Sequence, residues 1–288
     1  MRARRDNGSG FTYFDAAPAA VSSSKSGKAL MPDLKLRMID LNSDLGEGYG
    51  PWVMGDDKAM LDIVTSANIA CGGHASDPET MFRTLTFARE RGITVGAHPS
   101  YPDKEGFGRR RLPFPPAEVE RFVAAQTGAL IAIAALAGTH VSYVKPHGAL
   151  ANVASEDRAI AEAIVRAVRA IDGKLAILAI SGTVLEQAAR DAGVRVFSEI
   201  YADRGYTPAG NLVPRGQPGA MIEDYGAAAA RLLSWLETGM MPTVGGEPVR
   251  LAGHSICVHG DDPHAVVMAR AIRVALGGRG VTVAPFLR

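Results

Sequence analysis

Six segments of this 288-residue chain hold side chains whose types and spacing could do chemistry. The first, DLNSDLGEGYGPW (residues 40–52), gathers Asp40, Asp44, Glu47 and Asn42 among glycines; such acids bind cations or act as general bases. SANIACGGHASDP (66–78) supplies Asn68, Cys71 and His74. Its C-x-x-H spacing would suit zinc, but Cys71 reads better as a small buried apolar residue, and His74 is the functional candidate. GAHPSYPDKEGFGRRR (96–111) carries His98 and the run Arg109, Arg110 and Arg111. That run is equally a solvated surface or a clamp for a carboxylate or phosphate. In VKPHGAL (144–150), Lys145 ends an apolar run, where it could stabilise an oxyanion or pair with Asp44 or Glu199. His147 beside it could move a proton. EIYADRGY (199–206) offers Glu199, Asp203 and Arg204, and SICVHGDDP (255–263) offers His259 and Asp261. Asp262 before Pro263 reads as a helix cap, and His140, His254 and His264 receive no role. Asp44, His74 and His98 together could form an Asp–His–His site for a divalent metal.

Motifs that would name other chemistries are missing: the sequence contains no G-x-x-x-x-G-K-[ST], G-x-S-x-G or H-E-x-x-H. A net charge of +1, from 31 basic and 30 acidic residues, leaves no electrostatic footprint for nucleic acid or an anionic membrane. Two cysteines cannot build a disulfide framework, which favours a reducing cytoplasm. The longest strictly apolar run, residues 129–137, is far short of the roughly 20 residues that span a bilayer.

Behind these segments stand eight short apolar runs: residues 38–41, 63–70, 93–96, 141–144, 175–180, 194–197, 256–258 and 281–284. Their continuous apolar character suits parallel strands buried on both faces. Helical patterns lie between most of them. Asp77 can cap a helix whose buried stripe is Met81, Phe82, Leu85 and Ala88. Others fit residues 115–138, 155–171, 183–192, 221–238 and 263–276. Reactive residues follow at least six of the runs. A doubly wound sheet gathers its ligand at one switch point, whereas a βα-barrel collects groups from many strand ends, so the pattern favours a TIM-like barrel. Residues 37–288 read as one barrel domain; residues 1–36 read as a disordered extension or a start placed too far upstream, with Met31 and Met38 as alternative starts.

In its ordered motifs DLNSDLGE, ANIACGGHASDP, GAHPSYPD, GFGRR, VKPHGAL, EIYADRGY and SICVHGDDP, residues 38–288 closely resemble the LamB/YcsF family. One departure is Ser76, where the family pattern usually has Gly; a left-handed backbone there would be mildly strained. The resemblance implies an irregular βα-barrel of the glycoside hydrolase/deacetylase type with about seven parallel strands. It also implies ATP-dependent opening of 5-oxo-L-proline to L-glutamate, as the A component of a multi-subunit 5-oxoprolinase with partner subunits B and C. ATP, with Mg2+, would be the co-substrate, and a divalent metal at the barrel rim is a further expectation. Asp44, His74, His98, Lys145, His147 and Glu199 are then the expected catalytic residues. Asn42, Asn68, Arg109, Arg110, Arg204, His259 and Asp261 are expected to bind substrate or phosphate. Two alternatives stand beside this: a metal-dependent deacetylase or amidohydrolase, and a non-catalytic substrate-binding subunit. On any catalytic reading Asp44, His74, His98, Lys145 and His147 should converge. Asp44→Asn and Lys145→Met should then cost turnover but little stability.

Overall fold

Strand β1 (Met38–Leu45) sorts its side chains by alternation. Ile39, Leu41 and Leu45 enter the main apolar core, while Asp40, Asn42 and Asp44 bond to residues of other strands. The computed structural model describes residues 38–260 and 264–287. The expectations for residues 1–36, for Asp261 and for the Asp262–Pro263 cap lie outside them.

After β1 come α1 (Asp57–Leu61), β2 (Ser66–Ala70), α2 (Pro78–Glu90), β3 (Thr94–His98), α3 (Pro116–Leu136) and β4 (Val141–Val144). The chain continues through α4 (Gly148–Ala154), α5 (Arg158–Ile171), β5 (Ala176–Ile180), α6 (Val184–Asp191), β6 (Val196–Tyr201) and α7 (Tyr225–Thr238). A small hairpin, β7 (Met240–Met241) with β8 (Val249–Arg250), precedes β9 (Ser255–Cys257), α8 (Ala265–Gly278) and β10 (Thr282–Val283). Strands β1, β2, β3, β4, β5, β6 and β9 pair in parallel, and β9 returns to β1, which closes a seven-strand ring. The eighth apolar run is not a barrel strand. It forms β10, which pairs with Met38 and Ile39 only, because β9 takes the same edge of β1 from Asp40 onward.

The helices lie where the caps and apolar stripes place them. Asp77, Asp157 and Asp224 accept from the first-turn amides of α2, α5 and α7. The last of these starts α7 later than the expected residue 221, because Met221 instead bridges to Arg204. Phe82 is half-exposed and leaves the buried stripe of α2, whereas Met81, Leu85 and Ala88 keep to it. Helix α3 is long and apolar enough by composition to cross a membrane, but one face, including Val119, Val123 and Leu130, enters the core, and it packs on α2 and α5.

The inside of the ring is polar above an apolar plug. Tyr143, Ala176 and Leu178 pack with Phe197 and the C-terminal Phe286, whose ring lies 5.0 Å from Tyr143 and 4.8 Å from Phe197. Gly96 faces Tyr143 so closely that a Cβ there would stand 2.2 Å from the ring. Above the plug a hydrogen-bonded chain runs upward. Thr65 and Ser66 donate to Asp40 at 2.7 Å, and Ser255 donates to its other oxygen. Asn42 donates to Ser255 at 2.6 Å, and Asn68 donates to Asn42 at 2.7 Å and to Asp44 at 2.8 Å. Lys145 Nζ sits at the top of the chain, 2.9 Å from Asp44 Oδ1, 2.9 Å from Glu199 Oε1 and 3.1 Å from Cys257 Sγ. Burial opposes its charge, yet Asp44, Cys257 and Glu199 hold its pKa well above the usual lysine value. The structural ion pair expected for Lys145 therefore forms with both acids. Glu199 lies inside the barrel because β6 runs on to Tyr201.

The buried charges make two measurable differences. Burial raises the Asp40 carboxyl from 3.8 to about 6, against three hydroxyl donors that lower it. The folded state thus binds the proton more tightly than the unfolded chain, and its contribution to stability is lost as pH rises from about 4 to about 6. Relative to Asp40→Asn, the parent should lose on the order of 3 kcal/mol across that window, read by urea unfolding at each pH. A difference that is flat with pH would contradict this. Lys145→Met, by contrast with the sequence expectation, should cost about 3–5 kcal/mol, because it leaves two buried carboxylates without their cation. An unchanged urea midpoint would show that the interior charges are not held this way.

Candidate active site

At the C-terminal rim three loops and two strands bring donors together. Asp44 ends β1, and Glu47 follows it. His74 comes from the β2–α2 loop, His98 closes β3, and His147 caps α4. All five are buried. Around the cluster, Asp44 Oδ2 lies 3.3 Å from His98 Nε2, and His98 Nε2 lies 3.1 Å from His147 Nδ1. His147 Nδ1 lies 3.5 Å from Glu47 Oε1, which is 3.0 Å from His74 Nε2.

Backbone carbonyls fix two of the tautomers. His98 Nδ1 is 2.7 Å from the Lys145 carbonyl, and His147 Nε2 is 2.9 Å from that of Phe107. A carbonyl only accepts, so each of those nitrogens carries its proton. In the neutral rings, His98 Nε2 and His147 Nδ1 are then bare and face each other. Two lone pairs at 3.1 Å repel unless a proton or cation lies between them. The loop that supplies the Phe107 carbonyl is itself constrained. Phe107 has φ 53°, and at Gly108 (φ 62°) a Cβ would stand 2.2 Å from Ser100 Oγ and 2.9 Å from His147 Cδ2.

The charge pattern suits a cation. Burial, together with His98, pushes the His74 pKa well below normal; burial with His74 and His98 does the same to His147. Their low pKa favours the neutral rings that a metal ion would need, and the two rings stack at 3.7 Å. Burial works against ionised Asp44, but His98 and Lys145 outweigh it and hold its pKa well below the carboxylate range. Two donors about 2.1 Å from one ion stand roughly 3.0–3.4 Å apart, and neighbouring donors of this set stand 3.0, 3.1, 3.3 and 3.5 Å apart. Asp44, His98 and His147 form one group able to hold a metal, and Glu47, His74 and His147 a second that shares His147. The expected Asp44–His74–His98 trio is corrected accordingly: His147 stands between the other two histidines, and His74 joins through Glu47. Glu47 was visible only as one more acid in the first segment.

A cavity of about 330 Å³ opens beside this cluster, with Asp44, His98, His147, Tyr201, Arg204 and His259 in its wall. Arg109 and Arg215 also line it. His259 Nδ1 lies 2.6 Å from Asp203 Oδ2; burial opposes a charge on the ring, but Asp203 prevails and raises its pKa. Several expected contacts are absent. Asn42 and Asn68 are fully buried below Lys145 and do not line this cavity; Asn68 bonds Asp44, and Asn42 accepts from Asn68. Lys145 and Glu199 are likewise not in the wall of this cavity; Lys145 bonds Asp44, and Glu199 bonds Lys145. Arg110 is held by Asp103 and takes the surface reading, whereas Arg109 reaches the cavity. His74 and Glu47 line a separate hollow of about 180 Å³ with Phe107 and Trp52. Cys71 is buried, accepts from the His98 amide, and burial pushes its thiol up to about 12, which makes it inert. Ser76 does have a left-handed backbone, φ 76°, and its buried hydroxyl has no partner.

Known proteins agree with this architecture. A crystal structure of a lactam utilization protein from Thermus thermophilus superposes with TM-score 0.81 at 41% identity, over 86% of this chain and 99% of that one. A relative from Azorhizobium caulinodans, named as the A subunit of 5-oxoprolinase, is 51% identical over 248 residues, 86% of this chain and 98% of its own length. Another of that name from Nocardia farcinica is 52% identical over 249 residues, 86% and 99% respectively. The LamB/YcsF family model matches residues 39–288, and the chain belongs to the LamB/YcsF family.

Proposed function

We propose that this chain is the lactam-handling subunit of an ATP-dependent 5-oxoprolinase, opening 5-oxo-L-proline to L-glutamate in the cavity beside Asp44, His98 and His147. The observation that carries the reading is the facing pair His98 Nε2 and His147 Nδ1, 3.1 Å apart and without backbone partners, next to the Asp44 carboxylate on the wall of a cavity rich in guanidinium groups. Arginines in that wall suit a substrate with a carboxylate. A divalent cation, where bound, would be held by Asp44, His98 and His147, with Glu47 and His74 beside them, and would polarise the amide carbonyl and acidify water. The chain's own groups do the rest. Lys145, Asn68 and Asn42 aim Asp44 at the rim. Water adds to the ring carbonyl carbon, the C–N bond breaks, and the ring nitrogen needs a proton as it leaves. The adding water gives up a proton, and His98 Nε2 and His147 Nδ1, which have no backbone partner, are placed to carry it to that nitrogen, while His259, donating to Asp203 and accepting from Arg215, shapes the wall. ATP supplies the drive for a ring opening that is otherwise nearly balanced. Partner subunits B and C complete the assembly, and the cytoplasm is its compartment.

A second reading has an observation in its favour. The five-donor cluster would equally serve a metal-dependent amidohydrolase that needs no ATP.

The test is ATP-dependent glutamate formation from 5-oxoproline by the chain combined with its B and C partners. Asp44→Asn and His147→Gln should each lower turnover by two orders of magnitude or more in the assembled complex. Near-parent turnover of either variant would refute the assignment. Elemental analysis separates the metal question: the parent should bind a divalent ion, and His98→Gln should hold it about 10–100-fold more weakly. Turnover that survives removal of ATP but not of the metal would favour the second reading.

A further inference from the structure

The first cavity opens into a second of about 360 Å³, with Arg109, Arg204, Asn152 and Leu212 shared between their walls. A five-membered lactam is far smaller than the ligands that cavities of about 300 Å³ and above usually enclose. The second space is therefore surplus to it. Three guanidinium groups, of Arg109, Arg111 and Arg204, line the second cavity against one carboxylate, that of the exposed Glu156.

Arg204 is the informative member. It is only 4% exposed, and its Nε and Nη2 donate to the carbonyls of Ala220 at 3.0 Å and Val213 at 2.6 Å. Among the described residues no carboxylate stands within ion-pair distance of it; Asp203, its neighbour in sequence, pairs with His259 instead. A buried charge whose direct contacts are carbonyls, with Asp203 already bonded to His259, is costly, and proteins tolerate it where an anion arrives to pair with it. The two carbonyl bonds fix the plane of the guanidinium, so the anion would find a preset fork.

We propose that the second cavity binds the phosphate groups of a phosphate-bearing co-substrate, with Arg204 at the junction of the two spaces and Arg109 and Arg111 along the wall. This rests on the lactam-opening reading only for the choice of which cavity the lactam takes. The phosphates then lie next to the place where the amide is opened, which is where a phosphoryl-driven reaction needs them.

Binding of inorganic triphosphate to the full chain tests this, followed by calorimetry at low and at physiological salt. The parent should bind it, more weakly as salt rises. Arg111→Gln should weaken binding about tenfold, as expected when a charge-assisted contact is lost. Arg204→Lys, which keeps the charge but not the fork, should weaken it at least as much. Because Arg204 also ties two backbone carbonyls, Arg111→Gln, on an exposed side chain, keeps the test informative if Arg204→Lys fails to fold. Equal triphosphate affinity in the parent and Arg111→Gln would overturn the proposal. So would competition between 5-oxoproline and triphosphate, because Arg204 would then be the lactam carboxylate's anchor. Triphosphate binding that obeys these expectations while the assembled complex makes no glutamate would uphold the site and reject the lactam reading.

Discussion

The ammonium of Lys145, sealed inside the barrel between Asp44 and Glu199, is the interaction on which the rest of this site depends. Each contact at 2.9 Å has a gross attraction on the order of 6 kcal/mol at an effective dielectric near 20. Desolvation costs several kcal/mol for each ion, so the net stabilisation is small. The return is orientation. With Lys145 and Asn68 both on Oδ1, the Asp44 carboxylate cannot turn, and it stays ionised despite complete burial. Glu199 shows what happens without such support. Beyond its ion pair, neither of its oxygens has a well-directed hydrogen bond.

Much of this was legible in the residues, and the misses have physical causes. The ordering of strand ends correctly gave a barrel, and it also gathered Asp44, His98, Lys145 and His147, because parallel strands present their C-terminal ends on one rim. What misled was the reading of the strands as continuously apolar. In β1 the sequence MIDLNSDL alternates, with acids and amides on the inner face. Read that way, Asn42 and Asn68 belong to the barrel interior and not to a substrate pocket. The same error placed Glu199 beyond a strand that in fact contains it. Arg109 and Arg110 are adjacent in sequence, yet Asp103 takes Arg110 while Arg109 turns to Phe107 and the cavity. Spacing alone cannot separate two neighbours whose fates are set by one acid on a loop.

The histidines raise a different point. Type and position could mark His98 and His147 as functional, but not which nitrogen of each ring would be bare. That information lives in two carbonyls, of Lys145 and Phe107, and in the tight backbone around Gly108 that aims the second. Tautomer choice is what turns a cluster of imidazoles into either a proton relay or a set of metal ligands. Here both fixed rings direct lone pairs to the same point, and only a proton or a cation satisfies both.

Asp44 is where the two halves of the design meet. Its Oδ1 belongs to the interior, taken by Lys145 and Asn68, and its Oδ2 belongs to the rim, 3.3 Å from His98 Nε2. The chain of bonds from Asp40 through Ser255, Asn42 and Asn68 therefore ends on one oxygen, and the chemistry begins on the other. An apolar barrel interior of the same volume would be simpler to stabilise, since it would desolvate no charge. It would leave the Asp44 side chain free to rotate, and a carboxylate that rotates can neither hold a cation in register with two fixed imidazoles nor keep its charge in a dry cleft. The polar interior is thus explained by the rim it supports, and the apolar plug of Tyr143, Phe197 and Phe286 beneath it closes the barrel below those charges.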